Sequence, residues 1–301
     1  MVKTVKTVKA VKAVKTVKTA RVAAPIAMAA ILTMGAGLGG AAAAQETSAR
    51  VYNTVMQKLA EGRQVVGGTV TTSDPEVHCA MANAGYDFLW IEMQHSPLTY
   101  QEVARMIWAC RGAPAIPFIR VPDATAGDIQ KATDVGALGI IVPLVDTTEK
   151  IAAAVRYAKY PPEGERSLGN GQYRALWGDD YRQTANDNVM VVAMIESPKG
   201  TAVARDIAAV PGVDVVFAAS TDLGSFSGLE QGEAGYEDLV GQIHDATLGA
   251  GLALGGPQAW RDRAGFTFFQ GPTQNSLLRL GARRSLETSS SGVAETEGAE
   301  R

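Results

Sequence analysis

The chain has 301 residues, a formal net charge of −3, and 46% hydrophobic against 20% charged residues, with only two Cys and three His. That is apolar material for one sizeable core, and one large α/β domain fits the length better than two small ones. The first 44 residues carry seven positive charges and no negative one, so the rest of the chain stands near −10. So acidic a domain lacks the Lys and Arg clusters that phosphate contacts need, which argues against a nucleic-acid partner.

The chain opens with "MVKTVKTVKAVKAVKTVKTAR", a basic low-complexity run, and continues with "VAAPIAMAAILTMGAGLGGAAAAQE", apolar and small, with an Ala-x-Ala pattern before Gln45. A positive region, an apolar region and a small-residue cleavage site are the parts of a secretory signal peptide. A transmembrane anchor is the alternative. The weak, Gly/Ala-rich hydrophobicity favours cleavage after Ala44, and the absence of Cys from this segment argues against a lipid anchor. Residues 1–44 are therefore read as a signal peptide, and the protein as periplasmic with no stable membrane anchor.

From Arg50 short β-type runs alternate with amphipathic stretches. Candidate strands are "QVVGGTV", "FLWIEM", "AIPFIRV", "LGIIVPLV", "VMVVAMIE", "VDVVFAAS", "LALGG" and "FTFFQG". They are short and mostly apolar without clean alternation, as expected of strands covered on both faces. Helical patterns lie between them, among them "TYQEVARMIWACRG", "AGDIQKATDVGA", "TTEKIAAAVRYAKY", "PKGTAVARDIAAVPG" and "YEDLVGQIHDATLGAG", several closed by Gly. Residues 45–286 are accordingly expected to form a single α/β domain, a (β/α)8 TIM barrel. A doubly wound open sheet is the alternative, but no Gly-x-Gly-x-x-Gly follows the first strand and no P-loop pattern occurs. The polar tail over 287–301 is expected to be disordered. Cys79 and Cys110 both sit in apolar, helix-like contexts. They could pair in an oxidising compartment or remain two buried thiols, and the sequence leaves both open.

Catalytic residues of such barrels cluster at the C-terminal ends of the strands. The second candidate strand ends at Glu92, Gln94 and His95, the third at Arg120, the fifth at Glu196 and the sixth at Asp222. Glu196 and Asp222 would offer hard oxygens to a divalent ion such as Mg²⁺ or Mn²⁺. Arg120 could stabilise negative charge developing on a substrate oxygen, and His95 could move a proton near neutral pH. Each has a plain structural alternative: a satisfied core histidine, a salt-bridge arginine, a helix-capping glutamate. Four such residues at four strand ends of a charge-poor core favour a site.

The region from about Gln64 to Leu286 resembles the HpcH/HpaI aldolase family, metal-dependent class II pyruvate aldolases built as (β/α)8 barrels. The resemblance is carried by "AGYDFLWIEMQHSP", "PFIRVP", "DIQKATDVGALGIIVPLVDTTEKIAAAVRYAKYPPEGERSLG", "AMIESPKG" and "GVDVVFAASTDLGSFSG". It implies cleavage of a 4-hydroxy-2-oxo acid into pyruvate and an aldehyde, or the reverse addition, with Mg²⁺, Mn²⁺ or Co²⁺. Glu196 and Asp222 match the metal ligands, Arg120 the arginine that stabilises the enolate, and His95 the general base. Asp134 in "KATDVGA" matches the acid that pairs with that histidine from a neighbouring subunit. The family also implies a homo-oligomer, a trimer or a hexamer, with the last helix exchanged between neighbours.

This chain departs from the family pattern at Met93 and Gln94, which replace a Gly and an acid, at Met194, which replaces a Gln, and at Ala219-Ser220-Thr221, which replaces Gly-Pro-Ala. Ser220 and Thr221 are read as hydroxyl donors to the substrate carboxylate, and Gln94 as a neutral substrate-binding residue beside His95. The departures keep two further readings in view. One is another metal-dependent reaction on the same barrel, hydrolysis or isomerisation; the other is a non-catalytic periplasmic binding or scaffold protein. Retention of His95, Arg120, Glu196 and Asp222 together argues against the last.

Overall fold

The eight apolar runs become eight strands: β1 Val65–Val70, β2 Phe88–Glu92, β3 Ile116–Arg120, β4 Gly139–Val142, β5 Met190–Ile195, β6 Val215–Ala218, β7 Ala253–Pro257 and β8 Phe266–Thr273. In this computed structural model, which describes residues 50–296, they hydrogen-bond in sequence order into a closed barrel with every pair parallel. Strands β2 to β6 are buried along their whole length, which is why they read as continuous apolar runs.

Large and small residues alternate to fill the interior. Phe88, Phe118, Phe217 and Phe268 meet there, with ring centroids 4.6 Å apart for Phe88 and Phe268 and 4.7 Å for Phe88 and Phe118. Gly67, Gly139 and Gly255 face these rings. A Cβ at Gly67 would stand 2.2 Å from Phe88, and one at Gly139 would stand 2.1 Å from Phe118. The aromatic plug fits because those strands contribute no side chain at that level.

Helix α1 (Thr54–Ala60) precedes the barrel. After the first five strands come α2 (Pro75–Ala82), α3 (Tyr100–Ala109), α4 (Ala126–Asp134), α5 (Thr148–Ala158), the short α6 (Tyr173–Trp177) and α7 (Tyr181–Thr184), then α8 (Pro198–Ala202) and α9 (Ala204–Ala208). After β6 follow α10 (Ser220–Ser227) and α11 (Ala234–Gly249), and after β8 comes α12 (Gln274–Thr296). The helix that begins after each of β1 to β5 starts from a side-chain cap: Asp74, Thr99, Thr125, Thr147 and Ser197 in turn. Helix α10 begins at Ala219 with no side-chain cap.

The stretch "PKGTAVARDIAAVPG" breaks into α8 and α9 at Val203, and α6, α7 and α10 are additions to the helices read from periodicity. Helix α12 runs on to Thr296, into the segment expected to be a disordered tail. Cys79 of α2 and Cys110 at the end of α3 form a disulfide with a Cα–Cα distance of 5.3 Å, within the ordinary range for such a bridge. Among the described residues no helix is long and apolar enough to cross a membrane. The signal-peptide reading lies outside the described residues.

Candidate active site

A cavity of ≈ 190 Å³ opens at the C-terminal end of the barrel, lined by Arg120, Met194, Phe217, Ala219, Ser220, Thr221, Asp222, Pro257 and Gln270. Its parts come from the ends of β3, β5, β6, β7 and β8, where the barrel architecture concentrates reactive groups.

Glu196 directly follows β5 and is fully buried. Its Oε1 accepts a 2.8 Å hydrogen bond from the Leu144 N–H, while its buried Oε2 has no hydrogen-bond partner. Leu144 is the one non-glycine residue among those described with positive φ, 51°, and this left-handed kink after β4 aims its N–H at the carboxylate. Burial is the main cause that pushes the Glu196 carboxyl up to about 7. The Leu144 N–H and the Arg120 charge pull the other way, and the adjoining Asp222 adds to the rise.

Asp222 lies in the first turn of α10, half-buried, beside Glu196. The turn that carries it also presents Ser220 and Thr221 to the cavity, and the Ser220 carbonyl accepts a 2.9 Å bond from the buried Tyr236 hydroxyl, which fixes the turn from behind. A bare, buried carboxylate oxygen beside a second carboxylate fits a divalent cation, whose charge would relieve both the burial and the mutual repulsion. Among the described residues no group of three or more His, Cys, Asp or Glu gathers at one point, and Glu196 and Asp222 are the pair that would offer oxygens to such an ion.

Arg120 is 8% exposed and ends β3 directly across from Glu92, its register partner on β2. Its Nε donates to Glu92 Oε2 at 2.6 Å, its Nη1 stands 3.9 Å from the Met194 sulfur, and its guanidinium lies over the Trp90 ring. Glu92 Oε1 accepts the backbone N–H groups of Gln94 and His95 at 2.8 and 2.9 Å.

The other expected site residues lie elsewhere. His95 is exposed and Gln94 half-buried on the loop after β2, outside the cavity lining, and the Gln94 Oε1 is buried without a hydrogen-bond partner. Asp134 ends α4, and a helix that starts at the catalytic end of the barrel finishes at the opposite end. There its carboxylate accepts from Arg166 Nη2 at 3.1 Å and Gln130 Nε2 at 2.8 Å, so within one chain it does not meet His95. The sequence reading missed three contributors: the ion-pair role of Glu92, the backbone donor at Leu144, and Gln270 in the cavity wall.

The profile of the HpcH/HpaI aldolase/citrate lyase family matches residues 70–255. The chain is 35% identical over 182 residues to the hydroxypyruvate/pyruvate aldolase of Delftia acidovorans, covering 58% of this chain and 67% of that protein. It is 34% identical over 171 residues to the 2-dehydro-3,6-dideoxy-6-sulfogluconate aldolase of Pseudomonas putida, covering 56% and 67%. Its fold superposes on the crystal structure of an HpcH/HpaI aldolase/citrate lyase family protein from Burkholderia cenocepacia with a TM-score of 0.73 and 29% identity, over 79% of this chain and 99% of that one. A parallel eight-stranded barrel with paired carboxylates and an arginine at its C-terminal end, matched in sequence along most of that barrel, belongs to the HpcH/HpaI aldolase/citrate lyase family and is a carbon–carbon lyase of the aldolase class.

Proposed function

We propose that this protein is a divalent-metal-dependent aldolase that cleaves a 4-hydroxy-2-oxo acid into pyruvate and an aldehyde, or runs the addition in reverse. The observation that carries the reading is the bare, buried Oε2 of Glu196 beside Asp222, with Arg120 on the same cavity. Glu196 and Asp222 would hold Mg²⁺, Mn²⁺ or Co²⁺. Such an ion, when bound, supplies Lewis acidity to the 2-oxo acid.

The protein's own groups then divide the work. The first turn of α10, which no side chain caps, and the Ser220 and Thr221 hydroxyls receive the substrate carboxylate. Gln94 offers a neutral amide next to His95. His95, exposed on the loop beside the cavity rather than lining it, takes the proton of the C4 hydroxyl through an intervening water. The C4–O bond becomes a carbonyl, the C3–C4 bond breaks, and its electron pair moves toward the C2 oxygen, giving the pyruvate enolate. Arg120 sets a fixed positive charge beside that oxygen, and a proton delivered to C3 completes pyruvate. Positioned base catalysis of this kind is worth roughly 10²–10⁴-fold. The small cavity suits a short oxo acid.

Asp134 fits the scheme only in a homo-oligomer, a trimer or hexamer in which a neighbouring copy brings it to His95. In support, α12 exposes Leu278 and Leu286, at 63% and 73%, on a helix that touches the barrel near its start. We place its work in the periplasm, a proposal supported by the basic and apolar leader and by the Cys79–Cys110 disulfide, which accords with an oxidising compartment.

A lactate dehydrogenase-coupled assay over a panel of 4-hydroxy-2-oxo acids, with each of the three metals, tests the reading. Metal-stimulated pyruvate release from at least one substrate is expected. Turnover of these acids without pyruvate would contradict it.

A further inference from the structure

We propose that Glu92 is a positioning residue that locks Arg120 and the His95 loop into one arrangement, so that a single buried carboxylate sets both the enolate-stabilising charge and the base. The inference rests on the aldolase reading for its kinetic consequences, and on geometry alone for the placement of Arg120.

Glu92 is 3% exposed and all of its acceptor capacity is spent inside the protein. Oε2 accepts from Arg120 Nε at 2.6 Å and from the Trp90 indole Nε1 at 3.2 Å. Oε1 accepts from the N–H groups of Gln94 at 2.8 Å and His95 at 2.9 Å, and the Glu92 carbonyl accepts from the Ser96 hydroxyl. With two donors on each oxygen, the side chain is neither a free base nor a metal ligand. It is a junction between β3, which carries the guanidinium, and the turn that carries the imidazole.

The junction depends on both charge and length. The β2–β3 register places Glu92 and Arg120 side by side, so the ion pair forms along the Nε edge while the guanidinium still lines the cavity. Glu92→Gln keeps the length but turns an NH₂ toward one of the two donor sets, leaving donors facing a donor. Glu92→Asp keeps the charge, but its carboxylate sits one methylene back and cannot reach both sets. Either change frees Arg120 or the His95 turn, and a displacement of about 1 Å in a catalytic group can cost about 10²-fold.

The full chain and its variants would be assayed for pyruvate release with Mn²⁺, for Mn²⁺ binding by electron paramagnetic resonance, and for oxalate binding to the Mn²⁺ form by calorimetry. Glu92→Gln is expected to bind Mn²⁺ within about twofold of wild type, because Glu196 and Asp222 stand on other elements. Oxalate affinity should fall at least about tenfold, and kcat on the order of 10²-fold. Adding Arg120→Lys to Glu92→Gln should cost less than about threefold more, although Arg120→Lys alone costs on the order of 10²-fold, since the guanidinium is already displaced. Glu92→Asp, which keeps the charge, supplies the same readings should Glu92→Gln not fold. Multiplying kinetic costs, or undiminished oxalate affinity in both variants, would overturn the proposal. A wild type that releases no pyruvate would sink the aldolase reading instead, and the oxalate measurement would still decide the placement of Arg120.

Discussion

Replacing Cys79 and Cys110 with Ser should remove a large share of this domain's stability. The bridge spans 31 positions and joins α2 to α3 at a Cα–Cα distance of 5.3 Å. In the chain-entropy description, a closed loop of this length restrains the unfolded chain by about 3.5–4 kcal/mol at 25 °C. Against a total stability of about 5–15 kcal/mol, that is a quarter or more of the whole. With a urea slope of about 3 kcal/mol per M, the unfolding midpoint should fall by about 1.2 M. Urea titration of the double-serine variant, monitored by circular dichroism, measures this, and wild type kept in excess phosphine reductant should match it. A change below about 1 kcal/mol by both routes would refute the reasoning. It would mean that packing of α2 on α3 already restricts the unfolded chain, or that bridging strains the folded one.

Acid should destabilise the protein through His78. This residue is 3% exposed with an unpartnered Nδ1, and burial pushes its imidazole down to about 4. The unfolded chain takes up its proton near pH 6.5 while the folded one stays neutral, so stability is lost as pH falls from about 6.5 to about 4, by about 3 kcal/mol at the end of that window. In His78→Leu the pH dependence of the unfolding free energy, read from urea titrations, should be shallower by that amount; identical profiles would contradict the assignment. Gly67→Ala should cost at least about 1–3 kcal/mol, because the added Cβ would lie 2.2 Å from Phe88 in the packed barrel interior. A melting temperature within 1 °C of wild type would show that the aromatic plug can yield.

The barrel was legible because its strands are buried on both faces and its longer helices carry a full apolar period. The short α6, α7 and α10, of 5, 4 and 8 residues, were not: too few turns exist for a period to show. The rule that places reactive groups at strand ends points to Arg120, Glu196 and Asp222, because each sits at or just beyond the end of its strand, and the structure sets Arg120 and Asp222 on one cavity. Glu92 was visible as a strand-end acid, but its partnership with Arg120 depends on the register between β2 and β3, which neither strand encodes alone. The Leu144 donor is a backbone group in a left-handed turn at a residue type that gives no hint of one. Asp134 shows a third limit: its place at the end of α4 follows from the fold, and within one chain it meets Arg166 and Gln130 rather than His95. The pairing of Cys79 with Cys110 likewise depends on how two separate helices pack.

Glu196 and Asp222 are proposed to hold a divalent cation on which the proposed cleavage of oxo acids depends. The most direct measurement strips the protein with EDTA and follows both Mn²⁺ binding and pyruvate formation as Mn²⁺ is returned, in wild type, Glu196→Gln and Asp222→Asn. Wild type should lose activity with the metal and regain it on titration, while each variant binds Mn²⁺ at least about tenfold more weakly, in line with loss of one charged ligand. Pyruvate formed at an undiminished rate in EDTA, or wild-type Mn²⁺ affinity in Glu196→Gln, would contradict the account.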